Sequence, residues 1–146
     1  MEYTYRDCLM TDFDFLFELK KQNFKKYVDK YWSWNDQDQK NRLKIDLEEH
    51  LQHKHIILLN NNVIGVYAAH ITENGDCFIN EISLLEEYQG KGIGTKILKE
   101  QLNENKKQKI RTILQVFKDN PAKKLYERLG FIVYGETETH YQMEMK

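Results

Sequence analysis

Cysteine is scarce, with only Cys8 and Cys77 in 146 residues. The two have neither the paired spacing of a metal site nor the number a disulfide framework needs. No metal is therefore expected, and a reducing compartment suits both as ordinary strand residues. Net charge is nearly absent as well, since 22 Lys and Arg stand against 23 Asp and Glu for a total of −1. Such a chain sets up no general attraction to nucleic acid or to an anionic membrane, and neither is expected as a partner. No run approaches 18 apolar residues, and the opening MEYTYRDCLM has no basic region followed by an apolar stretch. These absences predict a cytoplasmic protein with no membrane span and no secretion signal. There is no repeat at a fixed period, and the longest polar run, 103–109, is short enough for a solvated helix end and loop. The length fits one domain, 1–146, acting as a monomer or homodimer.

What is present is concentrated in 78–101, FINEISLLEEYQGKGIGTKILKEQ. Residues 78–85 have strand composition, Gly90, Gly92 and Gly94 then fall at every second position, and Ile93, Ile97, Leu98 and Leu102 recur at helical spacing. The glycines thus lie between a strand and a helix N-terminus, where unpaired backbone N–H groups and the helix dipole favour a phosphate. A P-loop is excluded because Gly94 is followed by Thr95 and Lys96 in the wrong order, and a G-x-G-x-x-G dinucleotide fingerprint fails at the last glycine. A nucleotide-binding regulator is disfavoured for the same reason.

Gln89-Gly90-Lys91-Gly92-Ile93-Gly94 does fit Q/R-x-x-G-x-G/A, and ILQVFKDNPAKKLYERLGF follows over 113–131. In both stretches the chain resembles the GCN5-related N-acetyltransferase (GNAT) family: the first is similar to its acetyl-CoA pyrophosphate loop, the second to its next strand, asparagine turn and tyrosine-bearing helix. The likeness is strong over the second half and weak before about residue 54. It implies an α+β fold with a mixed, mostly antiparallel sheet flanked by helices, its central strand splayed at the acetyl-CoA site.

Read in order, 2–8 alternate as a strand and Thr11 is placed to cap a helix running from near Asp12 to Tyr31. A second helix is expected over 38–53, with Leu43, Leu47 and Leu51 four apart. Strands at 55–59 and 63–71 flank Asn60-Asn61-Asn62, a hairpin signal, and a turn at 73–76 leads into the central strand. After the loop helix, 110–117 returns as a strand parallel to it. Asn120-Pro121 opens a helix that Gly130 stops, and 131–134 and 141–145 close the chain as strands.

The resemblance carries specific roles. Main-chain groups of Ile82, Ser83 and Leu84 would hold the pantetheine arm, and the amides of Gln89, Gly90, Lys91, Gly92, Ile93, Gly94 and Thr95 the pyrophosphate, with Asn120 a further contact. Glu81 would be the general base for a protonated amine, since a carboxylate in an apolar strand needs an explanation; it can equally reach solvent or pair with a lysine. Tyr126 would protonate the leaving thiolate, or else pack beside Leu125 and Leu129. His70, His140 and Glu73 are alternative bases by residue type alone, and Glu86 stands where relatives often have proline. Tyr31, Trp32 and Trp34, with Asp29, Asp36 and Asp38 nearby, suit a cationic acceptor, although a core role for the rings is equally open. The expectation is an acetyl-CoA-dependent N-acetyltransferase, acetyl-CoA being co-substrate and the acceptor a small-molecule or peptide amine. The alternative is a non-catalytic acyl-CoA-binding or sensing module.

Overall fold

The computed structural model describes residues 2–146. Seven strands and four α-helices follow the order β1 (Tyr3–Asp7), α1 (Phe13–Tyr31), α2 (Asp36–His50), β2 (Lys54–Leu59), β3 (Asn62–Ile71), β4 (Cys77–Leu84), α3 (Ile93–Lys107), β5 (Thr112–Phe117), α4 (Ala122–Leu129), β6 (Ile132–Glu136) and β7 (His140–Met145). The sheet is mixed and mostly antiparallel, with strand order β1-β2-β3-β4-β5-β7-β6, and β4 runs parallel to β5. This is the α+β arrangement expected from the sequence. By contacts the chain forms two compact units, residues 2–68 with Glu81–Lys96 and Ala69–Asn80 with Ile97–Lys146.

In the first unit β1 and β2 pair antiparallel from Tyr3↔Leu59 to Asp7↔His55, and β2 pairs with β3 through a bulge at Ile57/Leu58. The β2–β3 turn places Asn60 and Asn61 at φ 52° and 66°, the left-handed conformations that asparagine tolerates and most side chains resist. Leu16, Phe17 and Leu19 of α1 and Leu43 and Leu47 of α2 pack with Cys8, Ile56 and Val66 into one buried cluster. Full burial of each such side chain contributes roughly 1.5–3 kcal/mol.

The cap of the first helix and the start of the second differ from expectation. Thr11 does not cap α1; a 3-10 turn, Met10–Asp12, comes first, and the Asp12 carboxylate accepts from the Leu9 N–H at 2.8 Å. It also receives both Arg6 terminal nitrogens, at 2.9 and 2.8 Å, and these bonds hold its pKa below the usual carboxylate range. The charge-assisted Arg6–Asp12 pair ties the 3-10 turn that leads into α1 to β1. The second helix begins at Asp36 rather than Asp38, because Asn35 Oδ1 accepts the Asp38 N–H at 2.9 Å and so caps it. It ends at His50, and Leu51–His53 continue as a 3-10 turn.

In the second unit β5 pairs antiparallel with β7 from Thr112↔Met145 to Phe117↔His140, and β6 pairs with β7. Ile97, Leu98, Leu102, Leu114, Val116, Phe131 and Met143 are buried. Asn105 Nδ2 donates to Thr112 Oγ1 at 2.8 Å, which satisfies two buried polar groups at once. Gly130, at φ 108°, closes α4 in the left-handed conformation expected of it. Cys8 and Cys77 are free and buried; burial pushes the Cys8 thiol up to about 11 and raises the Cys77 thiol as well. Among the described residues no helix is long and apolar enough to cross a membrane.

Candidate active site

The glycine loop leaves β4 through a 3-10 turn, Glu86–Tyr88, and reaches α3 by way of Gly90 and Gly92 at φ 73° and 85°. Both angles are strained for any residue with a Cβ, yet a Cβ at either position would meet nothing within 4 Å. Their requirement is therefore conformational, and the space before them is open. The Lys96 N–H donates to Gly92 O at 3.0 Å, which makes Gly92 the carbonyl that starts the α3 ladder. The N–H groups of Ile93, Gly94 and Thr95 precede the first intrahelical bond and have no acceptor within the helix. Gly94 needs no special φ, and a Cβ there would only touch Ile82 Cγ2 at 3.8 Å. Lys91 is exposed, its ammonium 5.9 Å from the centre of the Tyr88 ring.

The Gln89 side chain, though exposed, folds back on the end of β4. Its Nε2 donates to Leu84 O and to Asn23 Oδ1, both at 2.8 Å, while Asn23 Nδ2 also donates to Leu84 O at 3.1 Å. Both lone pairs of the Leu84 carbonyl are thus taken by side-chain amides. Beside them Gln22 Oε1 accepts the Glu86 N–H at 2.9 Å. Gln22 and Asn23 were not singled out from the sequence, where two amides on an amphipathic helix look like solvated polar residues. Gly65 was also missed: a Cβ there would overlap the Ser83 carbonyl oxygen and come within 2.8 Å of Leu84 Cδ2. The only signal for it was an isolated glycine inside a strand pattern, which marks close backbone approach.

Glu81, on β4, is half-buried, and its Oε2 accepts from Ser83 Oγ at 2.7 Å. Ser83 itself is buried. Lys20 of α1 is half-buried too; burial lowers its pKa, and Glu81 is the strongest charge acting against that shift. The carboxylate therefore has a serine donor and a nearby cation, the setting expected if it pairs with a lysine.

At the α1–α2 turn Trp32 is 56% exposed, its ring 5.9 Å from that of Tyr31. Trp34 instead packs on the first-unit core, 6.2 Å from Phe17, and its indole N–H donates to Asp36 at 2.7 Å. The acidic residues here are already matched: Asp29 by Lys25 at 2.7 Å, Asp36 by Lys21 at 3.1 Å, and Asp38 by Arg42 at 3.0 Å. Their pull on an organic cation is offset accordingly.

In the second unit Tyr126 sits in α4 with Phe131 edge-on at 5.9 Å, and burial raises its pKa. The phenol stays protonated at neutral pH and is competent to donate a proton. The helix starts one residue later than the Asn-Pro pair suggested, with Pro121 at the cap position, and Asn120 Oδ1 accepts the N–H of its first residue, Ala122, at 2.9 Å. His70 Nδ1 lies 2.8 Å from Asn80 Oδ1, and the His140 ring lies tilted against Phe117, centres 4.1 Å apart, with its pKa lowered by burial. Glu73 lies exposed in the turn before β4.

Solved structures share this fold across the whole chain. The PaiA N-acetyltransferase of Thermoplasma acidophilum, in complex with coenzyme A, matches with a TM-score of 0.76 at 20% identity, over 100% of this chain and 99% of its own. Naa50 of Arabidopsis thaliana, in complex with the bisubstrate analogue CoA-Ac-MVNAL, gives 0.67 at 19% identity, over 100% and 99%. The ribosomal-protein-S18-alanine N-acetyltransferase of Escherichia coli gives 0.68 at 17%, over 99% and 93%. No curated protein sequence matches. At these identities the structures establish the fold alone. The family model described as acetyltransferase (GNAT) family matches residues 13–131, most of the chain and the whole of the loop and helix just described. The chain belongs to the GNAT acetyltransferase family.

Proposed function

We propose that the protein is a single-domain, acetyl-CoA-dependent N-acetyltransferase that moves an acetyl group to a primary amine by direct transfer in a ternary complex. The observation that carries this reading is the loop itself, where Gly90 and Gly92 take left-handed conformations with open space before them at the N-terminus of a 15-residue helix. That cradle fits a pyrophosphate. The backbone from Gln89 to Thr95 would hold it, and main-chain groups of Ile82, Ser83 and Leu84 would hold the pantetheine arm. The Leu84 carbonyl is excluded because its lone pairs are occupied. Acetyl-CoA supplies the activated thioester.

An alkylammonium has a pKa near 10 and no free lone pair, so a base must take its proton before it can attack. Glu81 is assigned that task, directly or through a water. As the nitrogen–carbonyl bond forms and the carbon–sulfur bond breaks, Tyr126 is assigned to protonate the departing sulfur, with Asn120 a further cofactor contact. Tyr31 and Trp32 offer the exposed ring surface for an acceptor, whether a small-molecule or a peptide amine. Trp34 would support that surface from the core side. Peptide acceptors draw support from the CoA-Ac-MVNAL analogue bound by Naa50 and from the alanine substrate named for the Escherichia coli enzyme.

The test is an acceptor-amine screen that follows release of free CoA. Amine-dependent release supports the reading. Tight acetyl-CoA binding with no release for any amine would leave the non-catalytic acyl-CoA-binding module instead.

A further inference from the structure

The cofactor loop is fastened to α1 by side chains that no glycine pattern predicts. Four hydrogen bonds converge within a small region: Gln22 Oε1 with the Glu86 N–H, Asn23 Oδ1 with Gln89 Nε2, and Asn23 Nδ2 and Gln89 Nε2 together on Leu84 O. They span the last residue of β4, the first residue of the 3-10 turn and the residue just before Gly90. Between these anchors and α3 lie two left-handed glycines, which impose few limits of their own on where the loop amides sit.

Glu86 makes the arrangement more specific. Proline is the residue that would stiffen this position by its fixed φ, and it has no N–H to give. Here the N–H is present and is spent on Gln22. Leu85, at φ −56° and ψ 145°, already has the extended conformation that a following proline requires. The preceding residue is thus already set for proline, and the chain instead holds the turn by a bond from a helix more than sixty residues earlier.

We propose that Gln22 and Asn23 are positioning residues for the phosphate-binding loop, holding its start against the end of β4 so that the amides of Ile93, Gly94 and Thr95 are set before acetyl-CoA arrives. Asn23 is suited to this because one short amide both accepts from Gln89 and donates to Leu84. Aspartate would keep the first bond and lose the second. The proposal rests on the acetyl-CoA reading of the loop and adds to it two residues on another element.

The experiment measures the acetyl-CoA Kd by calorimetry, with far-UV circular dichroism and Tm, for the parent, Gln22→Ala, Asn23→Ala, Asn23→Asp, Glu86→Pro and Gln22→Ala with Glu86→Pro. A net hydrogen bond is worth a factor of about two to ten in an equilibrium constant. Asn23→Ala, which loses two, should bind about tenfold or more weakly, and Asn23→Asp about threefold. Gln22→Ala should bind about threefold more weakly in the parent and show no loss in the Glu86→Pro background, where the bond it removes cannot exist. That rescue separates positioning from a general loss of stability. Parental affinity in folded Gln22→Ala and Asn23→Ala proteins would overturn the proposal, as would an equal Gln22→Ala effect in both backgrounds. If Asn23→Ala does not fold, Asn23→Asp and the Gln22 pair decide. A parent with no acetyl-CoA binding overturns the functional reading as well, whereas a parent that binds beside equally good variants overturns only the positioning roles.

Discussion

The turn from β4 into α3 and the turn from α1 into α2 lie in the same compact unit and use their side chains in opposite ways. In the first, side chains are missing at Gly90 and Gly92 or tied back to the end of β4 at Gln89, and the α3 N-terminus offers unpaired backbone amides. In the second, the polar side chains bind one another: Asp29 takes the Trp34 N–H and Lys25, Asp36 takes the Trp34 indole and Lys21, and Asn35 caps α2. A site made of backbone must be written as glycine and is therefore visible in a sequence. A site made of side chains looks like any solvated turn until its partners are known.

The largest expected effect lies with the groups assigned to proton transfer, which the loop only serves. Glu81→Gln should lower kcat by about 100-fold to 10,000-fold near neutral pH and recover in part at high pH, where the amine loses its own proton. Tyr126→Phe should lower kcat with little change in acetyl-CoA affinity. Rate profiles against pH check both, and parental turnover across the range would remove the assignments.

Next comes the loop. Gly92→Val must hold a β-branched residue at φ 85°, a strain of about 1–3 kcal/mol that is relieved only by moving the loop. Acetyl-CoA should bind at least about tenfold more weakly while the far-UV spectrum is kept, and calorimetry reads this directly. An affinity equal to the parent's would mean the amides are not the binding surface.

The interhelical turn should divide internally. Trp34→Ala removes a ring packed on the core and should cost about 2–3 kcal/mol of stability, less than the 3–5 of a fully buried ring. Trp32→Ala, at an exposed position, should change stability by no more than about 0.5 kcal/mol and raise the acceptor KM instead. Denaturant unfolding and acceptor kinetics separate the two. A Trp32→Ala protein with parental KM for every accepted amine would take the exposed rings out of the acceptor site.

The smallest effect is electrostatic. Asp29 is held below the usual carboxylate range first by its bond to Lys25 and then by the Trp34 N–H, and Asp36 first by the Trp34 indole and then by Lys21. Lowered folded pKa values mean that the stabilisation is present above an ordinary aspartate's pKa of about 3.9 and is lost as pH falls below it through the folded values. Acid titration by NMR should find both carboxylates ionised at pH values where a free aspartate is half protonated. Asp36→Asn should flatten the acid limb of the stability curve slightly. Ordinary titration of both would break the picture of a turn held by matched charges.

The same contrast governs what could be read in advance. Asn60-Asn61, Gly130 and the strand–glycine–helix passage declare themselves because a backbone conformation restricts which residues are allowed there. The start of α1 near Asp12 is legible, but its cap is not: Asp12 answers to Arg6 on another element, and pattern reading sees only the nearby threonine. Gln22 and Asn23 were invisible for a stronger form of that reason, their partners lying 61 to 66 residues along the chain. Gly65 is a glycine demanded by a neighbouring strand and not by its own φ, so its local sequence carries no sign of Ser83.

The two buried thiols bear on how the activity can be followed. Thiol–disulfide exchange needs a thiolate within reach, and Cys8 and Cys77 are 3% and 2% exposed with their ionisation pushed upward. A chromogenic disulfide reagent added to the folded protein should therefore develop colour only from the CoA set free at each turnover, with no contribution from the protein's own sulfur. Colour before an acceptor is added would report chains that have opened, so one continuous trace measures catalysis and native-state integrity in the same cuvette.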